Sequence, residues 1–253
     1  MNSHVLILAR SSQGTRIRMS QVVRQLNNYR VGSVLECGCG VGAYSEVLQN
    51  KASPLCSFDI NIKLVTIART HVKKAKFFVA SVESLPFRGK CFDTVIATDI
   101  IEHLGYPELA IQNIRSVLKD GGTVIATAPS KAWNRIYALL SMRKEDIGHY
   151  NICGIAQWED AFIKEGLYLF KYRRIQSFLS AFIDSLVAKL CLMIFGNSKV
   201  LHSEMATETA RHAFLGVIYL IFNRFIYPLL VFFELILPQC CKTEYLMVFK
   251  KKG

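Results

Sequence analysis

Val34-Leu35-Glu36-Cys37-Gly38-Cys39-Gly40-Val41-Gly42 is an apolar run that ends in an acid and then places glycine at three alternate positions. Glycines so spaced after a strand remove the side chains that would block a tight strand-to-helix turn and the close approach of a ligand to the backbone. The stretch therefore reads as a nucleotide loop. Gly38, Gly40 and Ala43 also satisfy the dinucleotide spacing G-x-G-x-x-G/A, and purely structural glycines would give the same letters, so the loop alone does not choose its ligand. About 17 residues after the last glycine, Pro54 to Asp59 reads as a short buried strand closing on a second acid. A carboxylate at the tip of that strand can accept two hydrogen bonds from the vicinal hydroxyls of a ribose. The alternative for Asp59 is the N-cap of the following helix, Ile60 to Thr70.

Four further stretches decide between ligands: Ser81-Val82-Glu83-Ser84-Leu85-Pro86-Phe87, Cys91-Phe92-Asp93 running to Asp99, Ile100-Ile101-Glu102-His103-Leu104, and Leu118-Lys119-Asp120-Gly121-Gly122. Taken in order with the glycine loop, they closely resemble the class I methyltransferases that use S-adenosylmethionine, nearest to the small-molecule and lipid-quinone branch. The resemblance covers residues 31 to 130 strongly and 145 to 172 weakly. It implies that Glu36 and the loop Gly38, Cys39, Gly40 and Gly42 hold the methionine end of the cofactor. Asp59 and Ile60 would meet the ribose side, Ser81 and Val82 the adenine, and Ala97, Thr98 and Asp99 the sulfonium end. Family members carry Asp where Ser81 stands, and Glu36 replaces the commoner Asp.

The chain of 253 residues is long enough for one α/β core with an insertion. Its net charge of +12 fits a nucleic-acid partner, an anionic membrane surface or a merely basic protein. Basic clusters such as Lys73-Lys74-Lys76 lack interleaved aromatics, and the fourth strand lacks the N-P-P-Y/F tetrapeptide of base-modifying methyltransferases, which argues against nucleic acid. Eight cysteines match no zinc spacing, so no metal is expected, and reduced thiols in a cytoplasmic setting are. The apolar start, Val5 to Leu8, is too short for a signal peptide.

Periodicity predicts an amphipathic helix near 16–28, then strands near 33–37, 54–59, 76–79, 92–98 and 122–128 alternating with helices at 42–50, 61–72 and 107–119. A helix at Ala156 to Glu165, a sixth strand at Leu167 to Tyr172 and a last strand at Glu244 to Phe249 complete the pattern. The fold class is α/β: a doubly wound, mostly parallel, seven-stranded Rossmann-like methyltransferase sheet, whose last strand the resemblance makes antiparallel. The core spans 1–174, an apolar helical insertion 175–241, and the final strand with a basic tail 242–253. Because the sixth strand ends and the seventh begins at the ligand-binding edge, the insertion stands over the site.

Two apolar runs in that insertion, Phe178 to Phe195 and Ala213 to Leu237, are each long enough to span a bilayer. Asp184, Lys189, Arg224 and Glu234 lie inside them, and each central charge costs about 2.5–3.5 kcal/mol. The reading favours amphipathic helices lying in the inner face of a membrane, with a transmembrane hairpin within 178–237 or a hydrophobic lid or dimer face as alternatives.

Methyl transfer from a sulfonium needs in-line alignment and, for a hydroxyl acceptor, a base. His103 beside Glu102 is the first candidate, with a helix-cap or packing histidine as its alternative. His149 and Tyr150, in the Gly-His-Tyr-Asn stretch, come second. The expected partner is a lipid-like or small-molecule acceptor. Two other classes share part of the pattern. A nicotinamide-dependent oxidoreductase would use the loop and Asp59 but not the Leu-Pro-Phe and Glu-His-Leu stretches, and a catalytically silent membrane-binding module would keep the fold without turnover.

Overall fold

Near-continuous apolar runs in the central strands demand a sheet covered on both faces, and the amphipathic segments between them supply the cover. The computed structural model describes residues 13–27, 31–87, 89–195, 237–238 and 241–252. Its strands are β1 (Val34–Cys37), β2 (Leu55–Asp59), β3 (Ala75–Val79), β4 (Phe92–Thr98), β5 (Leu118–Pro129), β6 (Leu167–Ser177) and β7 (Lys242–Lys251). The helices are α1 (Gln13–Leu26), α2 (Ala43–Leu48), α3 (Ile62–His71), α4 (Pro107–Val117), α5 (Trp133–Leu139), α6 (Ile155–Lys164) and α7 (Phe178–Phe195).

Spatial order is β3-β2-β1-β4-β5-β7-β6, parallel except for β7, which runs antiparallel to both neighbours. The order reverses between β1 and β4, where Val34 pairs with Leu55 on one side and Thr94 on the other. Crossovers from these two strands leave on opposite faces, so a crevice opens at their carboxyl ends.

One face of the sheet is covered by α4 and α6. Ala110, Ile111, Ile114 and Val117 form the buried stripe of α4, and Phe162 of α6 stacks on Phe249 of β7 with ring centres 3.8 Å apart. On the other face Val22 and Leu26 of α1 pack with Leu48, Ile96, Ile125 and Leu246. Helix α1 thus closes a layer of the sandwich.

Two strand boundaries differ most from expectation. Strand β5 begins at Leu118 because Lys119 reaches across to Asp93 on β4, which draws the residues before the Gly121-Gly122 turn into the ladder. Strand β6 runs on to Ser177, since Ile175, Gln176 and Ser177 are buried against α1 and β7, so the connection starts at 178 rather than 175. The first apolar run is helix α7. Residues 196–236, with nearly all of the second run, lie outside the described residues. Among the described residues no helix is long and apolar enough to cross a membrane.

Asp93, from the Phe-Asp motif, is a brace. Its Oδ2 accepts from the Ser33 N–H at 2.8 Å, the Ser33 hydroxyl at 2.6 Å and Lys119 Nζ at 2.8 Å, tying the entrances of β1, β4 and β5 together. Burial alone would raise its pKa, but Lys119 and Ser33 outweigh that and lower it from 3.8 to about 2. A depressed folded-state pKa contributes stability that is fully present above the unfolded value and is lost as pH falls toward 2. Chemical denaturation between pH 5 and pH 2 should therefore show a steeper acid loss for the native protein than for Asp93→Asn. Parallel profiles would mean that Asp93 braces nothing.

Candidate active site

The glycines of the loop act by different means. Gly38 has φ +70°, and a Cβ there would run into Ile100 Cδ1, so this position permits close packing between the ends of β1 and β4. Gly40 has φ +51° and nothing within 4 Å of where a Cβ would stand. That opening, beside a backbone only glycine adopts at low cost, is room for a ligand. The loop is held from β2: Cys39 N–H donates to the Phe58 carbonyl at 2.8 Å and Gly40 N–H to Asp59 Oδ2 at 2.9 Å.

Asp59 is not the helix cap. Asn61 caps α3 by accepting from Lys63 N–H, while Asp59 Oδ1 accepts from Asn61 N–H at 2.9 Å. Two of about four acceptor positions on the carboxylate are thus used to shape the loop, and the remainder suffice for a diol. Ile60, 75% exposed, stands next to it as an apolar ledge. Glu36 is 1% exposed beneath the loop, and its Oε2 accepts from Ser45 Oγ at 2.5 Å and Ser57 Oγ at 2.7 Å. Burial raises its pKa against those two hydroxyls. Any contact with a ligand's methionine end then falls to its other oxygen or to the loop backbone. The Ser81 hydroxyl accepts from Glu83 N–H at 3.1 Å, and Val82 turns its side chain into the core while its carbonyl accepts from Asn113 Nδ2 at 3.1 Å. Burial pushes the Cys37 and Cys39 thiols up, away from any role as nucleophiles.

At the tip of β4, after the buried Thr98, Asp99 sits in the left-handed region with φ +53°. Its N–H donates to Thr127 Oγ1 at 3.1 Å, and the Thr127 hydroxyl donates back to Asp99 Oδ1 at 2.9 Å. From α1, Arg18 pairs through Nε with Asp99 Oδ2 at 2.6 Å and through Nη1 with Glu244 Oε2 at 3.2 Å. Burial raises the pKa of Glu244 and of Glu102 well above the usual carboxylate range, and the charge of Asp99 adds to both. One guanidinium faces three carboxyl groups, two of which burial pushes toward the neutral form, so the edge can take up negative charge when a cation binds. A ligand with an ammonium and a sulfonium would supply such a cation.

His103 ends a short turn, Ile101–His103, beyond β4. Its Nδ1 lies 2.8 Å from the Gly148 carbonyl oxygen. A carbonyl only accepts, so Nδ1 carries a proton, and in the neutral ring Nε2 then keeps the lone pair, the form required of a base. The Glu102 carbonyl accepts from Tyr150 N–H at 2.8 Å and Asn151 N–H at 3.0 Å, and Asn151 Nδ2 donates to the Leu104 carbonyl at 2.6 Å. These bonds stitch the segment after β5 to the end of β4 and bring the His149 and His103 rings to 4.7 Å between centres. The Tyr150 ring is exposed at the rim, away from this stitch. Glu102, His103 and His149 each offer a donor atom within 4.8 Å of the others, a set that could hold a metal ion although the cysteine pattern suggested none.

Sequence reading therefore named His103, His149 and Asp99 and the structure brings them to one edge. It missed Arg18, Thr127, Tyr137 and Glu244. An arginine on an otherwise amphipathic helix, and an acid at the start of the alternating last strand, were the available signals.

Residues 35–126 match the family described as a methyltransferase domain. The mitochondrial ubiquinone biosynthesis O-methyltransferase of Mus musculus is 30% identical over 134 residues, which are 50% of this chain and 36% of that one. The chain spans about half or less of the length of the curated relatives it matches. Among solved structures, the [4+2]-cyclase SpnF superimposes with a TM-score of 0.62 at 16% identity, covering 94% of this chain and 82% of that one. The N-methyltransferase NodS of Bradyrhizobium japonicum, in complex with S-adenosyl-L-homocysteine, gives 0.55 at 20% identity over 66% and 82%. At those identities the structures speak for the fold alone. Loop, motif order, fold and the family match agree on a class I, S-adenosylmethionine-dependent methyltransferase domain, the match itself lying over residues 35–126.

Proposed function

We propose that this protein transfers a methyl group from S-adenosylmethionine to a hydroxyl of a lipid-like, quinone-related acceptor at a membrane surface. The observation that carries the reading is the open cradle at Gly40 beside the Asp59 carboxylate, at the same sheet edge as the tautomer-fixed His103. The cofactor supplies a methyl group already activated on sulfur. Asp59 would hold its ribose, the acidic edge at Asp99 would favour its positive end, and His103 would take the proton of the acceptor hydroxyl. The relatives' names, ubiquinone biosynthesis O-methyltransferase, support oxygen as the methylated atom and a quinone-like acceptor. Calorimetry should find cofactor binding abolished in Gly40→Val, because a branched side chain at φ +51° both strains the loop and fills the cradle. His103→Ala should bind the cofactor normally and lose about 10²- to 10⁴-fold in turnover. Unchanged affinity in the first variant, or unchanged turnover in the second, contradicts the assignment.

Support for the membrane part comes from α7. Phe178, Ala181 and Phe182 pack against Trp133, Ile136 and Tyr137 of α5, while Leu179 and Leu186 are exposed on the outer side. Lys189, a charge counted against membrane insertion, donates through Nζ to the Leu140 carbonyl at the end of α5, at 2.5 Å. A helix so held presents apolar residues without leaving the domain, as in-plane association requires. Basic Lys171, Arg173 and Arg174 lie on the adjoining strand and would add attraction to anionic lipid, about 1 kcal/mol each and screened by salt. Co-sedimentation with anionic vesicles should be strong at low salt and fall in a double variant, Leu179→Glu with Leu186→Glu, that keeps its cofactor affinity. A native protein that stays in the supernatant, or a double variant that binds vesicles equally, would make α7 a lid.

A further inference from the structure

The second histidine of the site has a partner whose geometry decides what it can do. His149 Nδ1 lies 2.7 Å from the hydroxyl of Tyr137, on α5. Unlike the carbonyl that faces His103, a phenol can donate or accept, so the distance alone leaves two tautomers. Burial separates them. Tyr137 is 3% exposed, and no described residue other than His149 bonds its hydroxyl. If His149 Nδ1–H were the donor, the phenol proton would be shut away from water without an acceptor, a cost of about 1–3 kcal/mol. If the phenol donates, both groups are satisfied. Nδ1 then carries the lone pair and the ring proton sits on Nε2. Burial, with Glu102 and Glu244 adding to it, also pushes the Tyr137 hydroxyl up, so the proton it donates is present at any working pH.

The two histidines are thus opposite. His103 is held with its proton on Nδ1 by the Gly148 carbonyl, and His149 with its proton on Nε2 by Tyr137. The residues that hold them are adjacent, since Gly148 precedes His149, and the rings meet edge to face at 70°. Tyr137 is itself fixed. Trp133 lies against both it and His149, Phe178 and Phe182 of α7 pack in the same cluster, and Lys189 anchors the far end of α5.

We propose that His103 and His149 divide the work at the acceptor oxygen, His103 Nε2 taking its proton and His149 Nε2–H donating to the oxygen as it becomes anionic, with Tyr137 as the positioning residue that enforces the division. The proton moves from the acceptor hydroxyl to His103, the oxygen bonds to the methyl carbon, and the carbon–sulfur bond breaks to leave a thioether. His149 gives up no proton in the step. It stabilises developing charge as an oxyanion donor does. The proposal rests on the methyl-transfer reading, but its first test does not.

Nitrogen-15 spectra of histidine-labelled full-length protein, with His103→Gln and His149→Gln for assignment, report which ring nitrogen carries the proton without any turnover. The expected native pattern is Nδ1–H for His103 and Nε2–H for His149. Tyr137→Phe should leave the His103 pattern and the cofactor affinity unchanged, release His149 into a mixture of tautomers, and lower kcat about tenfold with the cofactor KM unaltered. A native His149 protonated on Nδ1 would overturn the proposal. So would a Tyr137→Phe variant with the native spectrum and native kcat. Both Nε2 atoms unprotonated, and shifting on addition of Mg²⁺ or Zn²⁺, would make the pair a cation site and overturn it as well. The expected tautomers in a protein that methylates nothing would count against the methyl-transfer reading alone.

Discussion

The reversal of strand order between β1 and β4 is the constraint on which the rest depends. Parallel strands whose crossovers leave on opposite faces cannot be covered at their carboxyl ends, so the ends of β1, β2 and β4 bound a crevice. Most of the site sits where a strand runs out into that space: the loop after β1, Asp59 at the end of β2, Asp99 and His103 after β4, and His149 on the segment after β5. The antiparallel β7 adds Glu244, because its first residues lie beside the end of β5, where Glu244 pairs with Pro129. Topology places the groups, and local bonds then fix their direction.

Electrostatics at the edge follows from burial rather than from net charge. The chain carries a charge of +12, yet its site gathers Asp99, Glu102 and Glu244 around one arginine. Taking Glu102 and Glu244 out of water favours their neutral forms until a cation arrives. Lys171, Arg173 and Arg174 lie elsewhere, on the outer strand β6, and Lys251 donates to the Arg115 and Leu118 carbonyls at the far end of the sheet. Binding of a cationic ligand should therefore draw charge onto acids that burial otherwise keeps neutral, which couples ligand and protein protonation at this edge.

The sheet and the loop were legible because they rest on short-range patterns. Period-two and continuous apolar runs gave the strands to within a few residues, and glycine at alternate positions announced a turn that other residues cannot make. Where expectation slipped, a long-range partner was responsible. Lys119 joins β5 through Asp93, 26 residues away, and β6 continues to Ser177 because α1 and β7 cover its end. Arg18 meets Glu244 across 226 residues, a pairing with no local signature. The Asp59 N-cap alternative failed for a nearer reason, since Asn61 is better placed to cap. His149 was noticed as a residue type, but its tautomer depends on whether a phenol twelve positions earlier is buried. Sequence shows that a histidine is present. Only packing shows which of its nitrogens can act.

The most direct measurement is transfer itself. The full-length protein, incubated with S-adenosylmethionine labelled in its methyl group and with membrane lipid extract, should place label in the organic phase and release one equivalent of S-adenosyl-L-homocysteine per methyl transferred, with His103→Ala lagging far behind. Cofactor that stays intact in the presence of the extract, or label that appears equally with the His103→Ala protein, would contradict the account.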